Sequence, residues 1–386
     1  MKLISSLVLL MLDIAFARAH PVGTDKHYHC NSFNVPIAVA DIPTIVLPFL
    51  PLKDQYQATS VLNAITARTQ SQDVPPLVNV SGSYDIAAQY CFPIGQPPST
   101  TLQILTHGIG FNASYWDFYP SSNQSDTEYS YIYTATAAGY STLSYNRLGI
   151  FGSTLADPDK EVQATVALAI LAHITLIARE GKLFDKQPLP SKIVHVGHSY
   201  GSALSNALAA AYPSLSDGLV LTGISHIPQN PSLFAANTNF LIASVADPIK
   251  FPPSLYPNGY ATWPSQWANQ YNFFAYPDFD PIVLAQAEAT KQPFTIAEII
   301  SMGVLTLSAP SFKGPVLYVN GEKDLIMCGS NCTGLVESGS PAFDAFNGTS
   351  DIESVIIIGA GHGLNLHKTA QQTYGIITDW VKGHGF

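Results

Sequence analysis

A serine at position 199 sits in Gly197-His198-Ser199-Tyr200-Gly201. A serine hydroxyl attacks a carbonyl at neutral pH only when a base takes its proton, and an imidazole base needs a carboxylate to orient it. Two later stretches offer such partners: Gly321-Glu322-Lys323-Asp324 and Gly359-Ala360-Gly361-His362-Gly363. Ser199 is therefore assigned as nucleophile, His362 as base and Asp324 as orienting acid, with Glu322, Asp344 and Asp351 as rival acids and His367 as rival base. Attack on a carbonyl also builds an oxyanion, and losing one of its hydrogen-bond donors raises the barrier by about 3 kcal/mol. The backbone N–H of Tyr200 is one expected donor. The N–H of Ile109, in His107-Gly108-Ile109-Gly110, is the other.

These groups lie far apart in the chain, so secondary structure has to collect them. Residues 193–197 are mostly apolar and β-branched, and residues 200–211 are rich in Ala and Leu. A strand that turns at once into a helix around a serine needs small residues two before and two after it, where Gly197 and Gly201 stand. Further strands are expected at 84–92, 101–106, 141–145, 218–224, 316–320 and 354–358, and helices at 53–69, 127–138, 162–178 and 368–381. Apart from the helix at 53–69, residues 20–76 carry no regular pattern. Alternating strands and helices predict a mostly parallel sheet covered on both faces. Ligands bind such sheets at the carboxyl ends of the strands, where Asp324 and His362 follow their strands.

The alternation stops over 226–310, a stretch full of prolines and aromatic rings that includes Trp263, Trp267, Phe273 and Phe274. Helices are expected there only near 282–289 and 295–305. The stretch is read as a cap over the site, with those four rings lining a substrate pocket. The expected organisation is a leader at 1–19, a core in two parts at 20–225 and 311–386, and the cap between them. Of the remaining histidines, His107 and His198 are read as neighbours of the backbone turns and His173 and His195 as core residues. His226, at the mouth of the cap, is read as structural in preference to a substrate contact.

Composition narrows the function classes. Charged residues are only 11% of the chain, the net charge is −10 and no Lys/Arg cluster occurs, which argues against nucleic acid and anionic membranes as partners. A small neutral or apolar ligand fits better. The first nineteen residues read as a secretory leader ending in Ala17-Arg18-Ala19. Five sequons, at Asn79, Asn112, Asn123, Asn331 and Asn347, are candidate glycosylation sites of a secreted extracellular protein. Four cysteines in an oxidising compartment allow three pairings, of which Cys30 with Cys91 and Cys328 with Cys332 is favoured, Cys30 being placed in a tail. His27-Tyr28-His29-Cys30 finds no matching ligand pair elsewhere, so no metal is expected. The most apolar internal stretch, 162–178, is too short for a full span and contains Gln163 and His173.

Taken together, His107-Gly108-Ile109-Gly110, Tyr145-Asn146-Arg147-Leu148-Gly149-Ile150-Phe151-Gly152-Ser153, the Ser199 turn, Asp324 and His362 resemble the α/β-hydrolase superfamily. The resemblance covers roughly 84–381. It departs at Asn146, where family members often carry aspartate, and Ser199 excludes the branch with an aspartate nucleophile. It implies an α/β-hydrolase fold and a serine hydrolase, with no cofactor, acting on a carboxylic ester or lactone that has an apolar or aromatic moiety. An aminopeptidase or a lipase on the same fold is the alternative, with Asp247, Asp278, Asp280, Glu288 and Glu298 as candidates to hold an ammonium. A catalytically dead binding module is the other.

Overall fold

A computed structural model describes residues 27–67, 75–95, 99–120, 126–183, 189–226 and 230–386. The expected leader and the sequon at Asn123 lie outside these residues. The chain begins with strand β1 (Tyr28–Ile45), helix α1 (Gln55–Ile65) and strand β2 (Leu77–Pro93). The alternating part follows: β3 (Thr101–Thr106), α2 (Tyr131–Ala137), β4 (Ser141–Tyr145), α3 (Ala164–Arg179), β5 (Lys192–His198), α4 (Tyr200–Ala211) and β6 (Gly218–Thr222). Next come α5 (Asn230–Thr238), β7 (Leu241–Ile242), α6 (Ala243–Ala246), β8 (Tyr260–Thr262), α7 (Gln266–Phe273), α8 (Pro281–Thr290), β9 (Phe294–Thr295) and α9 (Ile296–Ser301). The chain closes with β10 (Val316–Gly321), α10 (Leu325–Cys328), α11 (Pro341–Asp344), β11 (Ile352–Ile357) and α12 (Ala370–Gly383).

The main sheet has the order β1-β2-β4-β3-β5-β6-β10-β11. From β4 to β11 every neighbouring pair is parallel, while β1 and β2 are antiparallel to each other and β2 to β4. Strands β3, β4 and β6 are buried along their whole length, as strands covered on both faces must be. Helices α3 and α4 pack on each other and on the sheet as one layer, and α2 packs with α12 in another. Helix α3, the apolar stretch weighed above as a membrane span, is thus a core helix. Among the described residues no helix is long and apolar enough to cross a membrane.

Strand β1 departs from the sequence reading, which found nothing regular there. Its residues alternate, with Phe33, Val35, Ile37 and Val39 buried and Asn34, Pro36, Ala38 and Ala40 exposed. Pro36 interrupts the pattern by type but not by geometry, because an edge strand has a side with no ladder to break. Cys30 is correspondingly not in a tail. It lies opposite Cys91 in the β1–β2 pair, and the two form a disulfide with Cα atoms 4.1 Å apart. Cys328 and Cys332 form the second, just after β10.

Between β6 and β10 the short strands β7, β8 and β9 form a small antiparallel sheet of their own. Sequence patterning found no strands here, and runs of two or three residues are too short to carry a period.

Candidate active site

Ser199 stands at the turn between β5 and α4 with φ +55° and ψ −117°. An L-residue reaches that region only with strain, of order 1–3 kcal/mol. The surroundings enforce it. A Cβ on Gly201 would lie 2.0 Å from the Thr106 carbonyl oxygen and one on Gly197 would lie 2.5 Å from the Ser202 nitrogen, so both flanking positions admit only glycine. The Ser199 N–H donates to the Thr222 carbonyl at 2.8 Å, anchoring the turn to the end of β6.

The Ser199 hydroxyl donates to His362 Nε2 at 2.8 Å, and His362 Nδ1–H donates to Asp324 Oδ2 at 2.7 Å. All three side chains are buried. The second carboxylate oxygen of Asp324 accepts from the Met327 N–H at 2.8 Å, so Asp324 also caps α10. The Cys328–Cys332 disulfide closes the chain directly behind that cap. The rival acid Glu322 instead accepts from the Gly359 N–H at 3.0 Å. The rival base His367 braces the loop of His362: its Nε2 accepts from the N–H groups of Gly361 and Ala275, and its Nδ1–H donates to the Gly363 carbonyl. Burial pushes its pKa down to about 4, which keeps that bonding pattern at neutral pH.

Gly108 presses on Ser199, since a Cβ there would lie 3.1 Å from Ser199 Cβ. The Arg147 N–H donates to His107 Nε2 at 3.1 Å, which places the ring proton on Nδ1, and Nδ1–H donates to the Gly108 carbonyl at 2.9 Å. A second donor, Arg147 Nη2, reaches the same carbonyl at 3.2 Å. That carbonyl belongs to the peptide whose N–H is Ile109. Among the described residues the N–H groups of Ile109 and Tyr200 have no protein acceptor, and both residues line the cavity beside Ser199. The Arg147 guanidinium lies 4.5 Å from the Tyr200 ring and forms a buried ion pair with Glu298 of α9. Sequence reading missed this pair. A lone Arg and Glu 151 residues apart leave no local signal.

The model of the alpha/beta hydrolase family matches residues 103–372, well over half of the chain, and the matched span holds all of these groups. This chain belongs to the α/β-hydrolase family. Among curated protein sequences none matches it. Among solved structures, a thermophilic esterase from Thermogutta terrifontis is similar at TM-score 0.52 and 14% identity, over 79% of this chain and 96% of that one. A hydrolase from Pseudomonas aeruginosa is similar at 0.50 and 14% identity over 77% and 94%. A bromoperoxidase from Bacillus anthracis reaches 0.51 at 13% identity over 78% and 96%. At such identities the likeness concerns the fold.

A cavity of about 340 Å³ lies beside Ser199. Ala203, Ile224, Leu305, Leu307, Ile326 and Met327 form much of its wall, and Phe273 and His226 also reach it. Of the four aromatic residues expected to line the pocket, only Phe273 does so. Trp267 and Phe274 border a second, more open cavity of about 670 Å³, which His362 also borders. Trp263 lines neither. It is fully buried, its Nε1–H donates to Glu288 at 2.8 Å, and its ring covers Gly110, where a Cβ would lie 2.1 Å from it. Composition tells which segment is aromatic but not which way each ring turns. His226, read as structural, is on the cavity wall.

The acidic residues weighed as an ammonium site are engaged elsewhere. Glu298 pairs with Arg147, Glu288 with Lys291, Asp278 with Lys323 and Asp280 with Lys368, while Asp247 accepts from the N–H groups of Ile249 and Lys250. Among the described residues the cavity beside Ser199 has no carboxylate in its wall.

Four buried histidines, His107, His195, His198 and His367, have pKa values pushed down by burial, His195 to about 3 and His367 to about 4. An unfolded histidine titrates near 6.5, so below that pH the unfolded chain binds more protons than the folded one. Their contribution to stability is complete above about pH 6.5 and is lost as pH falls toward 4, by about 1.4 kcal/mol per pH unit for each. Urea midpoints at pH 7 and pH 5 should therefore differ, with the lower at pH 5. Equal midpoints would contradict neutral buried imidazoles.

Proposed function

We propose that this chain is a secreted serine hydrolase that cleaves carboxylic esters or lactones through an acyl-enzyme. The observation that carries the reading is the unbroken line of hydrogen bonds from Ser199 through His362 to Asp324. Because the fold also hosts other chemistry, the residues and not the fold support it.

Ser199 Oγ attacks the carbonyl carbon while its proton passes to His362 Nε2, and Asp324 stabilises the resulting imidazolium and fixes which nitrogen faces the serine. The oxyanion is received by the N–H groups of Ile109 and Tyr200. Collapse of the intermediate breaks the bond to the alcohol oxygen, which takes the proton from Nε2 as it leaves. A water, deprotonated by the same imidazole, then releases the acid and restores Ser199. For a lactone the leaving alcohol remains part of the product.

Residues 226–310 act in this reading as a cap, since Phe273 and Ile299 from that stretch roof the cavity beside the nucleophile. The apolar wall and the absence of a carboxylate from it among the described residues favour an apolar acyl group over an amino-acid amine. Secretion is supported by the two disulfides and by exposed sequons at Asn79, Asn331 and Asn347. Asn112 is a poorer glycan site, because its Oδ1 accepts from both the N–H and the hydroxyl of Ser114.

The full chain treated with a fluorophosphonate probe should carry one adduct, on Ser199. Untreated protein should turn over p-nitrophenyl esters of aliphatic acids faster than amino-acid p-nitroanilides, and the adduct should abolish that turnover. Folded protein that takes up no probe would overturn the hydrolase reading, and a preference for the anilides would replace ester with peptide chemistry.

A further inference from the structure

The cavity beside Ser199 is apolar except for the reacting groups and one corner, where Ser225 and His226 stand. The Ser225 hydroxyl donates to the Met327 carbonyl. His226 is half-buried, and its Nε2 lies 3.1 Å from the Tyr318 hydroxyl. That hydroxyl has a single proton, which it donates to the Ala342 carbonyl at 2.9 Å. Toward the histidine it can therefore only accept, so the imidazole proton is on Nε2. Nδ1 is left as a bare lone pair, and among the described residues it has no donor. Burial pushes the pKa of His226 down to about 4, so the ring stays neutral and Nδ1 stays an acceptor under ordinary conditions.

An acceptor without a partner in an otherwise apolar wall is costly to cover with hydrocarbon. A bound group that brings a donor removes that cost, and one that cannot leaves the lone pair desolvated and unpaired. We infer that His226 is a specificity-determining residue and that the acid half of the preferred substrate is an aliphatic chain bearing a hydroxyl, whose O–H donates to His226 Nδ1. This inference rests on the ester-hydrolase reading, because it is attack by Ser199 that puts the acid half in this cavity. Room is sufficient: about 340 Å³ accommodates roughly ten groups of water or methylene size at ~30 Å³ each.

The test uses the full chain and paired p-nitrophenyl esters of saturated acids, plain and monohydroxylated, with the hydroxyl walked along the chain. At one position the hydroxylated ester should exceed its plain partner in kcat/KM by roughly 10- to 100-fold, the scale of an unpaired buried acceptor. In His226→Phe that ratio should fall to about one. His226→Gln, which keeps an acceptor, should retain part of it, and covers the case in which the phenylalanine variant does not fold. Tyr318→Phe frees the imidazole to change tautomer and should lower the ratio without removing it. Wild-type protein that hydrolyses p-nitrophenyl acetate but shows no preference at any hydroxyl position overturns this inference alone. Wild-type protein inert to every ester and to the fluorophosphonate overturns the hydrolase reading and this inference with it.

Discussion

Ser199→Ala and His362→Ala should each lower kcat on a p-nitrophenyl ester by about 10⁴- to 10⁶-fold with little change in KM, and the double variant should be no worse than either single one. The near equality follows from their acting as one unit: the hydroxyl is inert without a base, and the base has no proton to take without the hydroxyl. The 2.8 Å bond between them in the resting protein already aligns that transfer. A further variant tests the strain at the nucleophile. Glycine reaches φ +55° freely, so Ser199→Gly should abolish turnover without the usual cost of about 0.5–1 kcal/mol for a glycine substitution. Chemical denaturation beside steady-state kinetics checks both. Retention of substantial turnover in Ser199→Ala would remove Ser199 as the nucleophile, and a clear loss of stability in Ser199→Gly would remove the strain.

The second large effect concerns Arg147. Its side chain and that of Glu298 are 1% and 3% exposed, so deleting one leaves the other as an uncompensated buried charge. Arg147→Met alone should cost about 3–5 kcal/mol of stability, and Glu298→Leu alone a similar amount. The double variant removes both charges and should recover most of that stability, since a buried ion pair replaced by apolar groups of similar volume is often neutral. Activity should not recover with it. Without the guanidinium the Gly108 carbonyl keeps only His107 as a donor, and the peptide that presents the Ile109 N–H is less firmly oriented. In the double variant kcat should stay about 10- to 100-fold down, with KM near the wild-type value, as expected for a contact made to the transition state. Binding of a boronic acid, which forms a tetrahedral anion on serine, should weaken in parallel. If stability and kcat return together, Arg147 serves the fold alone.

Much of this α/β-hydrolase-family fold is legible in its sequence. The requirements at Ser199 are local: a strand, a sharp turn and a helix within nineteen residues, and two positions where only glycine fits. Neighbouring residues written in order carry such information, as do the short buried strands of the alternating part. The late strands likewise deliver Asp324 and His362 to the same edge, because parallel strands present the same ends.

Other features were decided only when the chain closed on itself. His362 and His367 both follow β11, and although position in the sequence favours His362 as the base, only the packing gives His367 its place, propping the loop of His362 from behind. Trp263 and Phe273 belong to one aromatic stretch, yet one covers Gly110 and the other roofs the cavity. Arg147 and Glu298 meet across 151 residues, and the edge strand β1 takes its proline because only one of its sides is paired. The physical reason is common to all of these. Backbone geometry and hydrophobic period act over a few residues, whereas the direction of a side chain and the identity of its partner depend on how whole elements pack, which no local spacing encodes.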